Sequence, residues 1–149
     1  MTEYRFNEGS LELPMERYTD RTANILILGQ PETSRFNLTI SRDRLKDGED
    51  ISQYVTRQIG LMASKLKGHK VKQRGAIRLG APEASIEGEY IDATHPSNGK
   101  TFFQRQAAFP LEAPLEQQVL VFSVTQDKPF AEEFDGQWAK LLASYRPRD

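Results

Sequence analysis

An amphipathic segment over residues 51–67 most constrains the fold of this 149-residue chain, because it places one helix between two series of strand-like segments. Apolar side chains recur along it at i, i+3, i+4 and i+7, the spacing of one helix face, and Gln58 is the polar member of this stripe. Asp50 and Gln53 have the spacing of a capping box at its start, and Gly68 is a typical helix end. The pattern predicts a capped helix that buries one face.

The rest of the chain predicts short strands and one further helix. Turn residues separate segments that are apolar or that alternate between apolar and polar side chains. These segments span residues 4–6, 11–13, 22–28, 36–42, 71–78, 85–91, 101–109 and 118–125, and residues 95–99 are expected to form a hairpin loop. A second apolar stripe predicts a helix over about 130–145 that ends before Pro147. The sequence therefore predicts a single α+β domain over 1–149, mostly antiparallel, with both helices covering one sheet face.

Charge balance excludes two classes of partner. Twenty Lys and Arg residues oppose 21 Asp and Glu residues, which leaves a formal net charge of −1. Proteins that bind nucleic acid or anionic membranes through bulk charge carry a positive excess. We therefore expect no nucleic-acid partner and no direct insertion into a membrane.

The residues that catalysis or metal binding requires do not converge in the sequence. The chain has no cysteine, and neither His69 nor His95 has further ligands at metal-binding spacing. No nucleophile motif or phosphate-binding glycine loop occurs, and the carboxylates Glu87 and Glu89 are typical of a solvated strand. We expect a protein with no enzymatic activity, no metal and no cofactor.

The compartment follows from the absence of targeting features. The first residues lack a basic segment followed by an apolar core, and the longest apolar run, Ile25 to Leu28, is far shorter than a membrane span. We expect a soluble, cytoplasmic protein.

Alternation along the strands divides their residues between two sheet faces. Phe36, Leu38 and Ile40 are expected to face the helices, together with Leu26 and Leu28. The opposite face is apolar but dotted with hydroxyl and amide groups, with few charges, unlike an ordinary solvated face. Its expected members are Ala23, Ile25, Ile27, Thr39, Ser41, Phe102, Gln104, Gln106 and Ala108.

The role of Gln58 stays open between two interpretations. Its amide either satisfies a buried backbone group inside the core or faces an open groove and offers itself to a partner. Met62 lies one turn further along the same stripe. Beside the helix, the run Ser41-Arg42-Asp43 is expected to form a salt bridge and a turn.

Several of these segments, in this order, resemble the Eag proteins, the effector-associated chaperones of bacterial type VI secretion systems in the DcrB-related superfamily. The resemblance covers nearly the whole chain. It rests on Thr2-x-Tyr4-Arg5, Leu11-Glu12-Leu13-Pro14, Asn24-Ile25, Ile40-Ser41-Arg42-Asp43, Tyr54-Val55-x-Arg57-Gln58 and Arg105-Gln106.

The resemblance implies a curved antiparallel sheet of the Mog/PsbP-like type, backed by helices, whose open concave face binds a client. It implies a homodimer that shields the N-terminal transmembrane helices of a PAAR- or Rhs-containing toxin before export. Ile25, Ser41, Gln58 and Gln106 match positions that contact the client in the family, whereas Ala23 and Thr39 replace bulkier apolar residues. The full predicted client-binding set is Ala23, Ile25, Ile27, Thr39, Ser41, Gln58, Met62, Phe102, Gln104 and Gln106.

An alternative function belongs to another class. The resemblance also implies relatives of other kinds: DcrB-related proteins include envelope proteins, and the wider fold includes a GTPase-binding cofactor and a photosystem subunit. A small-ligand or protein-binding module with no role in secretion is therefore the competing hypothesis.

Overall fold

Six antiparallel strands form the main sheet, and a separate hairpin precedes it, in a computed structural model that describes residues 1–27, 37–112, 115 and 117–148. The elements in chain order are β1 Thr2–Phe6, β2 Gly9–Leu13, β3 Asn24–Ile27, β4 Asn37–Arg44, α1 Ile51–Lys65, β5 Lys70–Leu79, a 3₁₀ turn Pro82–Ala84, β6 Ile86–Ser97, β7 Lys100–Pro110, β8 Gln118–Gln126 and α2 Glu132–Ala143. The predicted α+β class and the open antiparallel sheet are confirmed.

The main sheet has the strand order β3-β4-β8-β7-β6-β5. Strand β4, from before the first helix, pairs with β8 from near the end of the chain, and Thr39 lies opposite Ser123. The described strands β3 and β5 therefore form the two edges. The predicted strand residues Leu28 and Phe36 lie outside the described part of the chain.

The capping box at the start of α1 forms as the sequence predicts. The backbone N–H of Gln53 donates to Asp50 Oδ1 at 2.8 Å, and the backbone N–H of Asp50 donates to Gln53 Oε1 at 2.9 Å. These two bonds satisfy N–H groups that helix termini otherwise leave unpaired.

The predicted hairpin near residues 95–99 also forms, with a tighter turn than expected. Strand β6 continues to Ser97, and β7 begins at Lys100 directly opposite it. Only Asn98 and Gly99 lie in the turn, and both have positive φ, at 51° and 75°. Asn-Gly is the preferred pair for such a two-residue turn, since both residues tolerate this backbone conformation.

The two helices pack on opposite faces of the sheet, which differs from the expectation that both cover one face. Trp138 and Leu142 of α2 pack with Phe109 and Phe122, whereas Tyr54 and Val55 of α1 pack with Ile91, Ala108, Val119 and Val121. Neighbouring residues along a strand point to opposite faces, so the two clusters lie on either side of the sheet.

The reason for this arrangement can be found in β8. Val119, Leu120, Val121 and Phe122 are all buried, so consecutive residues of one strand need cover on both faces. A strand with both faces covered reads as a continuous apolar run. One helix on each face provides that cover.

Leu26 corrects a second expectation, because its side chain is 47 % exposed instead of lying in the core. It belongs to the edge strand β3 and shares a face with Leu38, its direct partner on β4. Helix α2 packs on that face near β5, at the opposite edge of the sheet. Helix α2 therefore leaves Leu26 partly exposed.

Candidate functional site

The strand residues predicted to bind a client lie on a single face of the sheet, the one that carries α1. Directly opposed residues in an antiparallel sheet point to the same face. One such row crosses five strands and consists of Ile25, Thr39, Ser123, Gln106 and Ile91. We call this side of the sheet the α1 face.

The other predicted strand residues follow the same register. Ile27, Asn37, Thr125, Gln104 and Ala93 form a second row across the α1 face. Ser41 lies opposite Val121, which α1 covers, and Phe102 lies opposite His95, with ring centroids 5.6 Å apart. Ala23 immediately precedes β3 and is exposed.

Helix α1 covers only part of this face. It contacts β6 and β7, over the buried residues Ile91 and Ala108. At the far edge, Ile25 and Ile27 are 66 % and 51 % exposed. Between the helix and that edge lie half-buried hydroxyl and amide groups: Thr39, Ser41, Gln104, Gln106 and Ser123. We call these five residues, with Ile25 and Ile27, the uncovered surface.

Gln58 and Met62 lie where α1 meets the sheet, beside Gln106. The three side chains line a narrow crevice of about 10 Å³, with room for about one water molecule. Gln58 Nε2 is 3.5 Å from Asp43 Oδ2, at the long limit of a hydrogen bond. Gln58 is thus half-buried at the border of the uncovered surface. This position is intermediate between the core position and the groove position that its sequence pattern left open.

Asp43 connects α1 to β4, a role that sequence reasoning missed. Its Oδ2 accepts a hydrogen bond of 2.9 Å from the Tyr54 hydroxyl, and its Oδ1 lies 3.7 Å from Arg21. Burial, followed by the charge of Asp43 and its hydrogen bond, raises the pKa of Tyr54 far above its usual range. Tyr54 therefore stays protonated and keeps donating. A tyrosine in the apolar stripe, near Asp43 in a preceding strand, is the only sequence signal for this contact.

The turn expected at Ser41-Arg42-Asp43 does not form, because these residues lie within β4, and Asp43 pairs with Arg21 instead of with Arg42. Arg42 points to the opposite face and donates to Asn24 Oδ1 at 2.5 Å, which ties β4 to the edge strand. Arg105 and Gln106, adjacent in the sequence, likewise separate. Arg105 pairs with Asp92 and Asp135 on the α2 side, while Gln106 lies on the α1 face.

Gln104 carries a buried acceptor with no partner. Its Nε2 donates to Ser123 Oγ at 3.3 Å, but its Oε1 is shielded from solvent and has no hydrogen bond within the described residues. Buried polar atoms are rarely left unpaired. The uncovered surface thus includes a buried, unpaired acceptor, which a partner group could reach only after the Gln104 side chain moves.

Within the described part of the chain, no three or more His, Cys, Asp or Glu side chains are grouped so as to hold a metal ion. His69 and His95 lie near each other, and burial, together with the charge of His95, lowers the pKa of His69. Among the described helices, none has the length and apolar character needed to cross a membrane.

Comparisons with known proteins agree with this architecture. The model of the DcrB family matches residues 8–144. A crystal structure of a Pseudomonas aeruginosa protein of unknown function, described as a candidate regulator, superposes with a TM-score of 0.68 at 23 % identity, covering 99 % of this chain and 97 % of that one. At this identity the likeness concerns the fold. No curated protein sequence matches the chain.

Proposed function

The chain belongs to the DcrB family, and from this premise we propose that it is a binding protein whose α1 face shields apolar helices of a partner. The finer proposal follows the resemblance of the sequence to Eag proteins. The chain is then a cytoplasmic, non-enzymatic chaperone for the N-terminal transmembrane helices of a PAAR- or Rhs-type toxin awaiting export.

The observation that carries the proposal is the mixed chemistry of the uncovered surface. Ile25 and Ile27 expose two large apolar side chains side by side on the α1 face, at a position where neither helix covers them. Exposed apolar surface next to a polar rim is typical of binding sites. An apolar helix of a partner would bury these side chains and lose its own unfavourable contact with water.

The polar members of the surface suit the same partner. Membrane helices associate through close packing and through hydrogen bonds from Ser, Thr, Asn and Gln side chains. Thr39 lies directly opposite Ile25, and Ser41 and Gln106 supply further hydroxyl and amide groups on the same face. These groups can bond to the partner's polar atoms without placing a full charge against an apolar helix.

A pair of substitutions on β3 tests the proposal, because Ile25 and Leu26 are adjacent, apolar and exposed but point to opposite faces. Ile25→Asp places a carboxylate against the client and is expected to abolish co-purification with the client's apolar N-terminal region. Leu26→Asp, the matched control, is expected to keep it. Both variants should stay folded, since Ile25 and Leu26 are exposed residues of an edge strand, at 66 % and 47 %.

The proposal fails if Ile25→Asp still retains the client, or if Leu26→Asp loses it equally. Circular dichroism of each purified variant shows whether the fold is intact. The proposed homodimer is tested separately by light scattering, where a mass of one 17.0 kDa chain at micromolar concentration would exclude it.

A further inference from the structure

A second surface feature, outside the uncovered surface, lies where β4 ends and α1 begins. It is a cavity of about 570 Å³ that opens between β4, the start of α1 and the chain segment before β3. Its lining is strongly basic, with the two carboxylates Asp20 and Asp43 against five cations: Arg21, Arg42, Arg44, Lys46 and Arg57.

Among the described residues, Arg57 is the cation of this lining with a two-bond carboxylate partner. Arg57 Nε and a terminal nitrogen each lie 2.8 Å from a Glu49 oxygen, a two-bond ion pair. Glu49 stands beside the lining, and this pairing lowers its pKa to about 2. Arg21 is held loosely, 3.7 Å from Asp43 and with a side chain 74 % exposed.

Arg42 and Arg44 donate hydrogen bonds to neutral groups of the described residues. Arg42 donates to Asn24 and to backbone carbonyls, and Arg44 donates to Gln117 Oε1 at 3.3 Å. Asp20 offsets part of this charge, although Thr22 already takes up its hydrogen bonds. The side chain of Lys46 makes no hydrogen bond or ion pair within the described residues. Even with Glu49 included, five positive charges meet three negative ones, so the cavity has a positive excess in a chain whose net charge is −1.

Asp43 links the cavity to the border of the proposed binding surface. Asp43 lines it, and the same carboxylate accepts the Tyr54 hydrogen bond and approaches Gln58 at the border of the uncovered surface. A partner chain that leaves the α1 face near Gln58 would therefore pass close to the basic cavity.

We propose that this cavity binds an acidic peptide segment of the partner, next in sequence to the apolar segment held on the α1 face. This inference rests on the proposed function for the position of the segment, and on charge complementarity for its chemistry. A local concave cluster suits a few carboxylates of one peptide, whereas a nucleic-acid strand needs cations along an extended path.

The test uses a fluorescein-labelled hexaglutamate peptide and the full chain, with fluorescence anisotropy as the measurement. Arg44→Gln/Lys46→Gln removes two charges from the cavity. Lys72→Gln/Lys128→Gln, the matched control, removes two exposed charges, one on β5 and one beyond the opposite end of β8. A single ion pair at an exposed site contributes little to affinity. We therefore expect a roughly five- to tenfold loss of affinity for hexaglutamate in the cavity variant and a loss of less than about twofold in the control.

Three outcomes would overturn the inference: equal weakening in both double variants, no binding of the peptide by the wild-type chain at low salt, or tighter binding of a single-stranded oligonucleotide with the same dependence on Arg44 and Lys46. The last outcome would assign the cavity to nucleic acid instead. Circular dichroism of the double variants monitors folding.

The two proposals can fail separately. If Ile25→Asp loses the apolar client while Arg44→Gln/Lys46→Gln binds hexaglutamate like wild type, the shielding function stands and the acidic site falls. If the cavity variant alone loses hexaglutamate and Ile25→Asp retains the client, the acidic site stands without the proposed function.

Discussion

The two faces of the main sheet are built from alternate residues of the same strands, yet they are completed differently. On the α2 side, Phe109 is fully buried and packs edge-on against Phe122, with ring centroids 6.0 Å apart, beneath Trp138. On the α1 side, the residues under the helix include the small Ala108, and beyond the helix the surface turns to hydroxyl and amide groups. Beneath α2 the first face is closed by packing within the chain, whereas the second face is open beyond α1.

This difference shows how one sheet can serve folding and binding together. The α2 side has the larger cluster of buried apolar side chains, and burial of such side chains stabilises a domain of this size. The other face can then carry groups that add little to stability. Substitutions on the two faces should separate these contributions.

The largest expected effect comes from the closed face. Phe109→Ala removes a fully buried ring and leaves a cavity, so it should lower the free energy of unfolding by about 3–5 kcal/mol. Gln106→Ala, on the open face of the same strand, should cost less than about 1 kcal/mol. Urea unfolding of both variants measures the difference. Similar losses in the two would remove the contrast between the faces.

A smaller effect is expected where α1 is joined to β4. Tyr54→Phe deletes the hydroxyl that donates to Asp43 and leaves the ring in place, so it should lower the free energy of unfolding by about 1–2 kcal/mol. Tyr90→Phe is the matched control on the α2 side, since its hydroxyl makes no hydrogen bond within the described residues. If Tyr90→Phe destabilises as much as Tyr54→Phe, the link through Asp43 does not stabilise α1.

The smallest expected effect is a pH dependence of the free energy of unfolding. It comes from His69, the residue immediately before β5. Its pKa is lowered from 6.5 in the folded state, because burial of the ring and the neighbouring His95 disfavour the charged form. The unfolded chain therefore binds more protons as the pH falls, so the free energy of unfolding is unaffected by this group well above pH 6.5 and decreases below it.

Unfolding curves between about pH 7.5 and 5.5 test this direction against His69→Gln, which should show the weaker decrease. Glu49 does not interfere in this pH range. Folding lowers its pKa from 4.5 to about 2, so its stabilising contribution is lost only at more acidic pH. An unchanged pH dependence in His69→Gln would mean that other groups cause the effect.

Local sequence signals predicted several features of this structure, and the register of the strands agrees with the predicted grouping of side chains on one face. The capping box of α1 depends on residues three apart, and the Asn98-Gly99 turn depends on two adjacent residues. Both can therefore be predicted from the sequence. Alternation alone grouped Ile25, Thr39 and Gln106, because opposed residues in paired strands share a face. That these residues bind a client stays a prediction.

The sequence by itself determined the helices, the strand alternation and the grouping of side chains by face, since each depends on spacing along a short segment. Only the tertiary structure decided which face each helix covers, why Leu26 is exposed, and how Asp43 meets Tyr54. The basic cavity likewise brings Arg21 to Arg44 and Arg57 from separate segments. These features depend on strand order and on contacts between distant residues, and spacing along the chain does not specify which distant partners meet.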